Sequence, residues 1–501
     1  MGARERAFRH TWRMPLSAAV QSTQAAGPSA TVQNICVVGG GFSGCVVAAN
    51  LLLRSTGHRA PLRVHLIERR ADIGRGAAYA TRDPVHLLNV PARGMSAWAD
   101  KPGDFLEWAR ARLPDAQPGD FLPRRIYADY LQDTLARAES EAHARCELVR
   151  VHDEAIRAEQ LGDGSWEVHL AGGQRIRCEA IVLATGHRAP GDPLGGRWSG
   201  PTDHWIADPW RPGATDPIAA DDAVVIVGTG LTAMDQVLSL ASRQPTRKAP
   251  VTLVSRSGLI PAVHAQVAQS PVDPMPMLND LALSGRVTRV RELLRAIRRT
   301  IRGTASAPPQ DWRAVIDGLR PYTHGLWGAL SQPEKRRFLR HLRAIWDSHR
   351  HRMAPEIGAR IEALRASGFL TLVRGRIRSG EADASALRLR VEVLQRGAPS
   401  RERIIEARWA INCTGPSPAV GYGEDRFTAS LIDGGFARID PIGLGLETDP
   451  LGRPLSRSGR SSGGLWVIGS LRRPALWETT AVPELRAQAE SVARECLQAL
   501  A

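Results

Sequence analysis

Two runs of small residues carry the chain's most legible chemistry. In ICVVGGGFSG, Gly39, Gly41 and Gly44 follow an apolar run from Ile35 to Val38 at the spacing G-x-G-x-x-G. In AVVIVGTGLTAMD, Gly228, Gly230 and Ala233 repeat that spacing after another apolar run. At this spacing the first small residue makes a tight turn and the second lets backbone approach a pyrophosphate. The third lets helix and strand pack closely. The helix that follows offers free N–H groups and the positive end of its dipole to phosphate oxygens. Each run therefore predicts strand, turn and helix, and the chain predicts two dinucleotide sites.

The strand after each turn ends differently. LRVHLIERR closes on Glu68 and Arg69, about two dozen residues past Gly44, and a carboxylate there accepts both hydroxyls of an adenosine ribose while repelling a 2′-phosphate. VTLVSRSG closes on Ser255 and Arg256, a hydroxyl and a guanidinium suited to a 2′-phosphate. The first site fits FAD and the second NADPH in preference to NADH, with a hydride passing between them. The expected contacts are Gly39, Gly41, Phe42, Ser43, Gly44, Glu68 and Arg69 for the first site. For the second they are Gly228, Gly230, Leu231, Thr232, Ser255 and Arg256.

The elements around these turns must bury a large core, and 501 residues suffice for two or three domains. The net charge of +15 is almost all arginine, since Lys101, Lys248 and Lys335 are the only lysines. That charge is spread over the chain, and aromatics make up only 5% of it, which argues against nucleic-acid recognition. No apolar stretch reaches the ~18 residues of a membrane helix. The six cysteines lack a CxxC pair, so neither a disulfide framework, a zinc site nor a dithiol centre is expected, and a reducing cytoplasm fits. Residues 1–33 show no apolar periodicity and read as a disordered tail.

Beyond the turns, IVLATGH and WAINCTG end strands in ATG-type turns. Together with RGAAYATRDPVHLLNVPARGMSAWADKPGDFLEW, LPRRIYADYL and LWETTAVPELRAQA, they make the chain from Asn34 onward resemble a bacterial FAD/NAD(P)-binding oxidoreductase family. That family is related to class B and N-hydroxylating flavin monooxygenases. The resemblance implies chain crossings between domains at Thr185–Gly186 and Gly415. It also implies a C-terminal FAD contact, where Gly469–Ser470 stands in place of the usual Gly-Asp. Thr480 is expected to cap the last helix, with its N-terminus aimed at the flavin. WSGPTDHWIADPW partly fits the F-x-G-x-x-x-H-x-x-x-W fingerprint of class B monooxygenases through Trp198, Gly200 and His204. Trp210 comes two residues late, and Asp208 stands in its place.

The expected fold is α/β, with two Rossmann-like dinucleotide-binding domains. The FAD domain is discontinuous (34–215 and 401–501), and the NAD(P)H domain (216–400) is nested within it. Helical periodicity through Val290, Leu294, Ile297 and Ile301 predicts an insertion over 279–365, covering the cleft or making a homodimer contact. Ser331 and Glu334 read as a capping box. His349 and His351 sit between arginines that would repel a cation, so no metal is expected.

The resemblance implies a monooxygenase that forms a C4a-(hydro)peroxyflavin and oxygenates a small nucleophile such as an amine, with O2 as co-substrate. The alternatives are an NADPH-dependent reductase or oxidase serving a quinone or protein acceptor, and a flavin-binding regulatory or interaction module. His187 and His204 are the candidate acid/base residues. Neither a nucleic acid nor a membrane is an expected partner.

Overall fold

A computed structural model describes residues 31–267, 269–303, 308–383, 385–395, 399–417, 420–421 and 425–501. Apart from residues 31–33, the expected N-terminal tail lies outside the described residues. The described chain builds three sheets.

The first sheet has five parallel strands in the order Leu465–Val467, Ala180–Leu183, Gln33–Val38, Leu62–Ile67, Cys146–Val151. Its central strand is apolar throughout its second half because both faces are covered, as parallel sheets require. On one face the Phe42–Arg54 helix packs against Arg124–Ser140 and the C-terminal helix Val482–Leu500. On the other lies a small antiparallel sheet of Ala155–Gln160, Trp166–Leu170 and Arg175–Cys178. The C-terminal segment thus completes a sheet that the N-terminal segment begins.

The second sheet has eight strands. Leu370–Ala382, Val251–Ser255, Val224–Val227, Trp409–Asn412 and Trp205–Ile206 run parallel, and Leu387–Val393 and Arg401–Ala407 extend the long strand as an antiparallel pair. Trp198–Ser199 pairs with the far end of Leu370–Ala382. This moves both expected domain boundaries. Strands at 198–206 and 401–412 belong to the nested domain, although sequence spacing assigned them to the FAD domain. Alternation identifies a strand, but it does not say which sheet the strand joins.

Between Val251–Ser255 and Leu370–Ala382 lie seven helices of the described chain, from Met275–Leu283 to Pro355–Ala366. The last packs on the Leu231–Arg243 helix and serves as the crossover between the two strands. The others form the insertion. The expected capping box is absent: Ser331 is the N-cap of Gln332–His341, but its side chain makes no cap bond. Glu334 instead accepts from the Val290 amide at 2.9 Å and caps the neighbouring helix. Among the described residues no helix is long and apolar enough to cross a membrane.

Candidate cofactor cleft

At the first turn Gly39 has φ +107°, and a Cβ there would lie 2.4 Å from the Ala184 carbonyl oxygen. The turn is therefore pressed against the neighbouring strand's end, and only glycine fits. Behind it, Glu68 Oε2 accepts from the Gly40 amide at 2.8 Å and Oε1 from the Arg70 amide at 2.9 Å. A carboxylate has about four acceptor positions, so two remain for ribose hydroxyls. Gly40 was not singled out by the motif, yet a Cβ on it would sit 2.7 Å from Glu68 Cβ. The space over Gly41 is bounded by Gly76, whose Cα would lie 3.4 Å from a Gly41 Cβ. Phe42 and Ser43 are buried in the first turn of the helix. Arg69 is exposed and pairs with Glu154 at 3.4 Å.

The second turn repeats this geometry. Gly228 has φ +116°, and its Cβ would meet the Cys413 carbonyl oxygen at 2.2 Å. Gly230 faces open space, with nothing within 4 Å of a built Cβ. That space is the cradle a phosphate needs beside a helix N-terminus, and Leu231 and Thr232 line the cleft there. Ser255 is held within the turn's hydrogen bonds. Thr229 Oγ1 lies 2.6 Å from the Leu259 carbonyl and 2.9 Å from Ser255 Oγ, while the Gly258 amide donates to Ser255 Oγ at 3.0 Å. Thr229 Oγ1 donates toward both, and Ser255 Oγ accepts from it and from the Gly258 amide. Ser255 is thus tied into the turn as an acceptor, and its own proton is still available. Arg256 is exposed at the strand end. Arg374, in register with Ser255 on the next strand, runs along Gly258 and is the second guanidinium at this edge.

The carboxyl ends of both parallel sheets open onto one cleft of about 930 Å3. Ala77–Tyr79 and Thr480–Val482 line it from the first domain, and Leu231, Thr232 and Cys413 from the second. Ligands of open α/β sheets bind at such carboxyl ends. Six arginines line the cleft (Arg69, Arg70, Arg124, Arg188, Arg211 and Arg426) against Glu154, Asp208 and Asp235. That excess suits anionic dinucleotides.

The two crossing segments run side by side. Pro190 bridges Pro416, and Arg188 donates to the Ser417 carbonyl from Nε at 3.1 Å and from Nη2 at 3.0 Å. Thr185 and Gly186 are exposed beside them, and Gly415 lines the cleft. Ser470 donates to the Gly186 carbonyl, which clamps the last strand's end to the crossing. Gly469, Thr479 and Gln488 form a buried chain that fixes the last helix to that strand, with bonds of 3.1, 2.8 and 3.3 Å. The N-cap of this helix is Ala481, with no side-chain cap, so Thr480 is a cleft residue and not the cap.

The two histidines separate. His187 faces the cleft and is exposed there; the protein packed around it, and after that Arg473, Arg188 and His351, lower its pKa to about 4. It is neutral at physiological pH. His204 lies outside the cleft, against the Trp409 ring at 4.8 Å, and its carbonyl accepts from the Ala410 amide. In the tryptophan-rich linker, Trp198 and Trp205 are pinned to the second sheet, whereas Asp208 and Trp210 reach the cleft.

One feature had no sequence signal. Arg124, at the start of a first-domain helix, pairs with Asp235 of the Leu231–Arg243 helix at 2.8 Å, both nearly buried. Burial outweighs the pull of Arg124 and holds the Asp235 carboxyl above its usual range. His86 joins them through the Asp235 carbonyl, 3.2 Å from its Nε2, and also bonds Ser239 at 2.8 Å and Thr81 at 2.7 Å, while Ser239 donates to Asp83. This polar network ties the two domains together across the cleft floor.

Fold and cleft define two Rossmann-like domains, each with a glycine turn, that share one cleft. Residues 36–188 match a family described as FAD-NAD(P)-binding, a span that holds the first glycine turn, Glu68 and the crossing at Thr185–Gly186. No curated protein matches the chain by sequence. Among solved structures the fold is similar to the ornithine N-hydroxylase of Kutzneria sp. 744, in a structure with reduced FAD, NADP+ and L-ornithine. There the identity is 15% over 93% of this chain and 99% of that one, with a TM-score of 0.60. L-lysine 6-monooxygenase from Pseudomonas syringae is similar at 16% identity, 93% and 99% coverage and a TM-score of 0.57. Bacillithiol disulfide reductase from Staphylococcus aureus shares the fold at 11% identity, 93% and 98% coverage and a TM-score of 0.51.

Proposed function

We propose that this protein is an FAD-dependent, NADPH-using oxidoreductase, a monooxygenase that oxygenates a small nucleophilic substrate such as an amine. The observation that carries this reading is the single cleft, about 930 Å3, lined from both glycine-turn domains at once. FAD would be held by the first turn, the Glu68 carboxylate and the start of the Val482–Leu500 helix. NADPH would be held by the second turn, Arg256 and Arg374. When bound, the flavin supplies the redox chemistry that connects NADPH oxidation to O2 activation.

The chain's own residues position and shield. The Val482–Leu500 helix directs its dipole into the cleft, where negative charge is favoured. His187, neutral at physiological pH, can accept a proton or hydrogen bond in the cleft but holds no charge there. Asp208 brings a carboxylate to the same cleft and is a candidate partner for an amine. The names of the ornithine and lysine enzymes that share the fold support an amine substrate.

The test is anaerobic reduction of the FAD-loaded protein by NADPH, then mixing with O2 and candidate amines. Amine-dependent consumption of O2, with hydroxylated amine as product, is expected. Rapid reduction with all O2 recovered as peroxide, whatever amine is present, would make the protein an oxidase. Passage of electrons to a quinone without oxygenation would make it a reductase. No reduction at all would leave the binding-module reading standing.

A further inference from the structure

Away from the cofactor cleft, the helical insertion and Trp477 line a second, half-open pocket of about 400 Å3. That volume lies within the roughly 300–1,000 Å3 usual for small-molecule sites. Leu294, Ile297, Leu326, Phe338, Trp346 and Trp477 line it. Its lining is almost wholly apolar, so an ion or sugar would lose its hydration and gain nothing in return. Two small clusters of buried side chains flank it, each bordered by large apolar residues that are only partly covered.

The wall is built at some cost. Trp477 stacks on Trp327 at 4.8 Å and meets Phe338 edge-on at 5.0 Å. It is the one non-glycine residue with positive φ among the described residues, at +56°. Surroundings that hold a tryptophan in that conformation over-determine it, and such positions cluster at ligand clamps.

Arg298, which also lines the pocket, is exposed, and among the described residues it has no carboxylate partner. Its helix, Val290–Arg302, also carries Arg291, Arg295, Arg299 and Arg302, with Glu292 as its only acid. Two copies docked through this face would bring these arginines together, which disfavours a second copy as occupant. An apolar chamber with a free guanidinium on its lining matches a ligand with a hydrocarbon chain and an anionic head.

We propose that this pocket binds a single-chain carboxylate amphiphile of the fatty-acid type, its chain among the tryptophans and its carboxylate at Arg298. The site is distinct from the cofactor cleft and does not depend on the flavin chemistry proposed above.

The full-length protein would be titrated with octanoate, decanoate and dodecanoate below their aggregation concentrations, following the fluorescence of the pocket tryptophans. Dodecanol and dodecyltrimethylammonium serve as head-group controls, and phosphatidylglycerol vesicles as the membrane control. Saturable binding of one ligand per chain is expected, tightening about four-fold per methylene until the pocket fills. Dodecanoate should bind better than the trimethylammonium compound. Arg298→Ala should weaken dodecanoate about two- to five-fold, as a rim charge does, and leave dodecanol unchanged. Ile297→Trp, checked by circular dichroism, should block all three acids. If that variant does not fold, the head-group series on the parent protein decides. Absence of saturable binding, equal binding of anion and cation, or no effect of Arg298→Ala on dodecanoate would overturn the proposal. Binding to vesicles alone would also overturn it, and would make the basic helix a membrane-surface element.

Discussion

The reading of the second dinucleotide site stands or falls with Arg256. The side chain is exposed at the end of Val251–Ser255, next to Ser255, whose Oγ accepts from Thr229 and the Gly258 amide. A charge-assisted bond to phosphate contributes ~1.5–3 kcal/mol when sheltered, but exposure screens it, and ~1–2 kcal/mol is the fitting range here. Arg256→Ala should then weaken NADPH about five- to thirty-fold. NADH, which lacks the phosphate, should change by less than about two-fold, since no such bond of ~1 kcal/mol or more is lost. Stopped-flow flavin reduction over a range of each nucleotide reads both numbers. Raising the ionic strength to 1 M shortens the screening length to about 3 Å, so parent NADPH binding should fall toward that of NADH. If Arg374 grips the same phosphate, Arg374→Ala should be selective too, and the double variant should lose less or more than the sum of the two. An equal loss for both nucleotides in Arg256→Ala would refute the argument, because the arginine would then be supporting the fold.

Three further outcomes are expected. Gly39→Ala adds a Cβ 2.4 Å from the Ala184 carbonyl oxygen at φ +107° and should cost roughly 2–4 kcal/mol, with loss of bound FAD; full flavin occupancy and an unchanged melting temperature would count against the turn's role. Arg124→Ala strands the buried Asp235 carboxylate and should destabilise by about 3–5 kcal/mol, and Arg124→Met combined with Asp235→Leu should recover much of that; a denaturant midpoint that hardly moves in the single variant would contradict this. His187 has its pKa lowered to about 4 in the folded chain against about 6.5 unfolded, so the unfolded state binds the extra proton between those values. Its contribution to stability is full above pH 6.5 and is lost as pH falls toward 4, and His187→Gln should flatten the fall in melting temperature between pH 7 and 5. A parallel fall in both proteins would exclude His187 as a source of the acid sensitivity.

Much of the first domain was legible because its signals are local. Gly39, Gly41, Gly44 and Glu68 lie within one strand–turn–helix–strand unit, and the spacing alone carries the geometry. What escaped was decided at long range. Trp205–Ile206 joins the second sheet only because Trp409–Asn412 offers it an edge, a pairing that no local pattern encodes. Glu334 stands three residues after Ser331, yet it turns to the Val290 amide of another helix, since tertiary neighbours compete with the local cap. Arg374 comes beside Ser255 and Arg256 through strand register, and Arg124 meets Asp235 only once two domains close. Gly40 and Gly76 were visible as letters, but the side chain and backbone that crowd them come from elsewhere in the chain.

The order of strands in the first sheet also sets an order of events during synthesis. Leu465–Val467 pairs with Ala180–Leu183, and the Val482–Leu500 helix covers the Phe42–Arg54 helix. Translation at typical speeds reaches these last pieces roughly 20–90 s after the first strand emerges. The nested domain, complete once Asn412 is made, can therefore fold first, inside a domain that is still waiting for its edge. Until then Val46, Val47 and Leu51 lack part of their final cover. A ribosome stalled late in the message would release a chain with a finished inner domain and an outer one whose apolar helix invites chaperones and proteases.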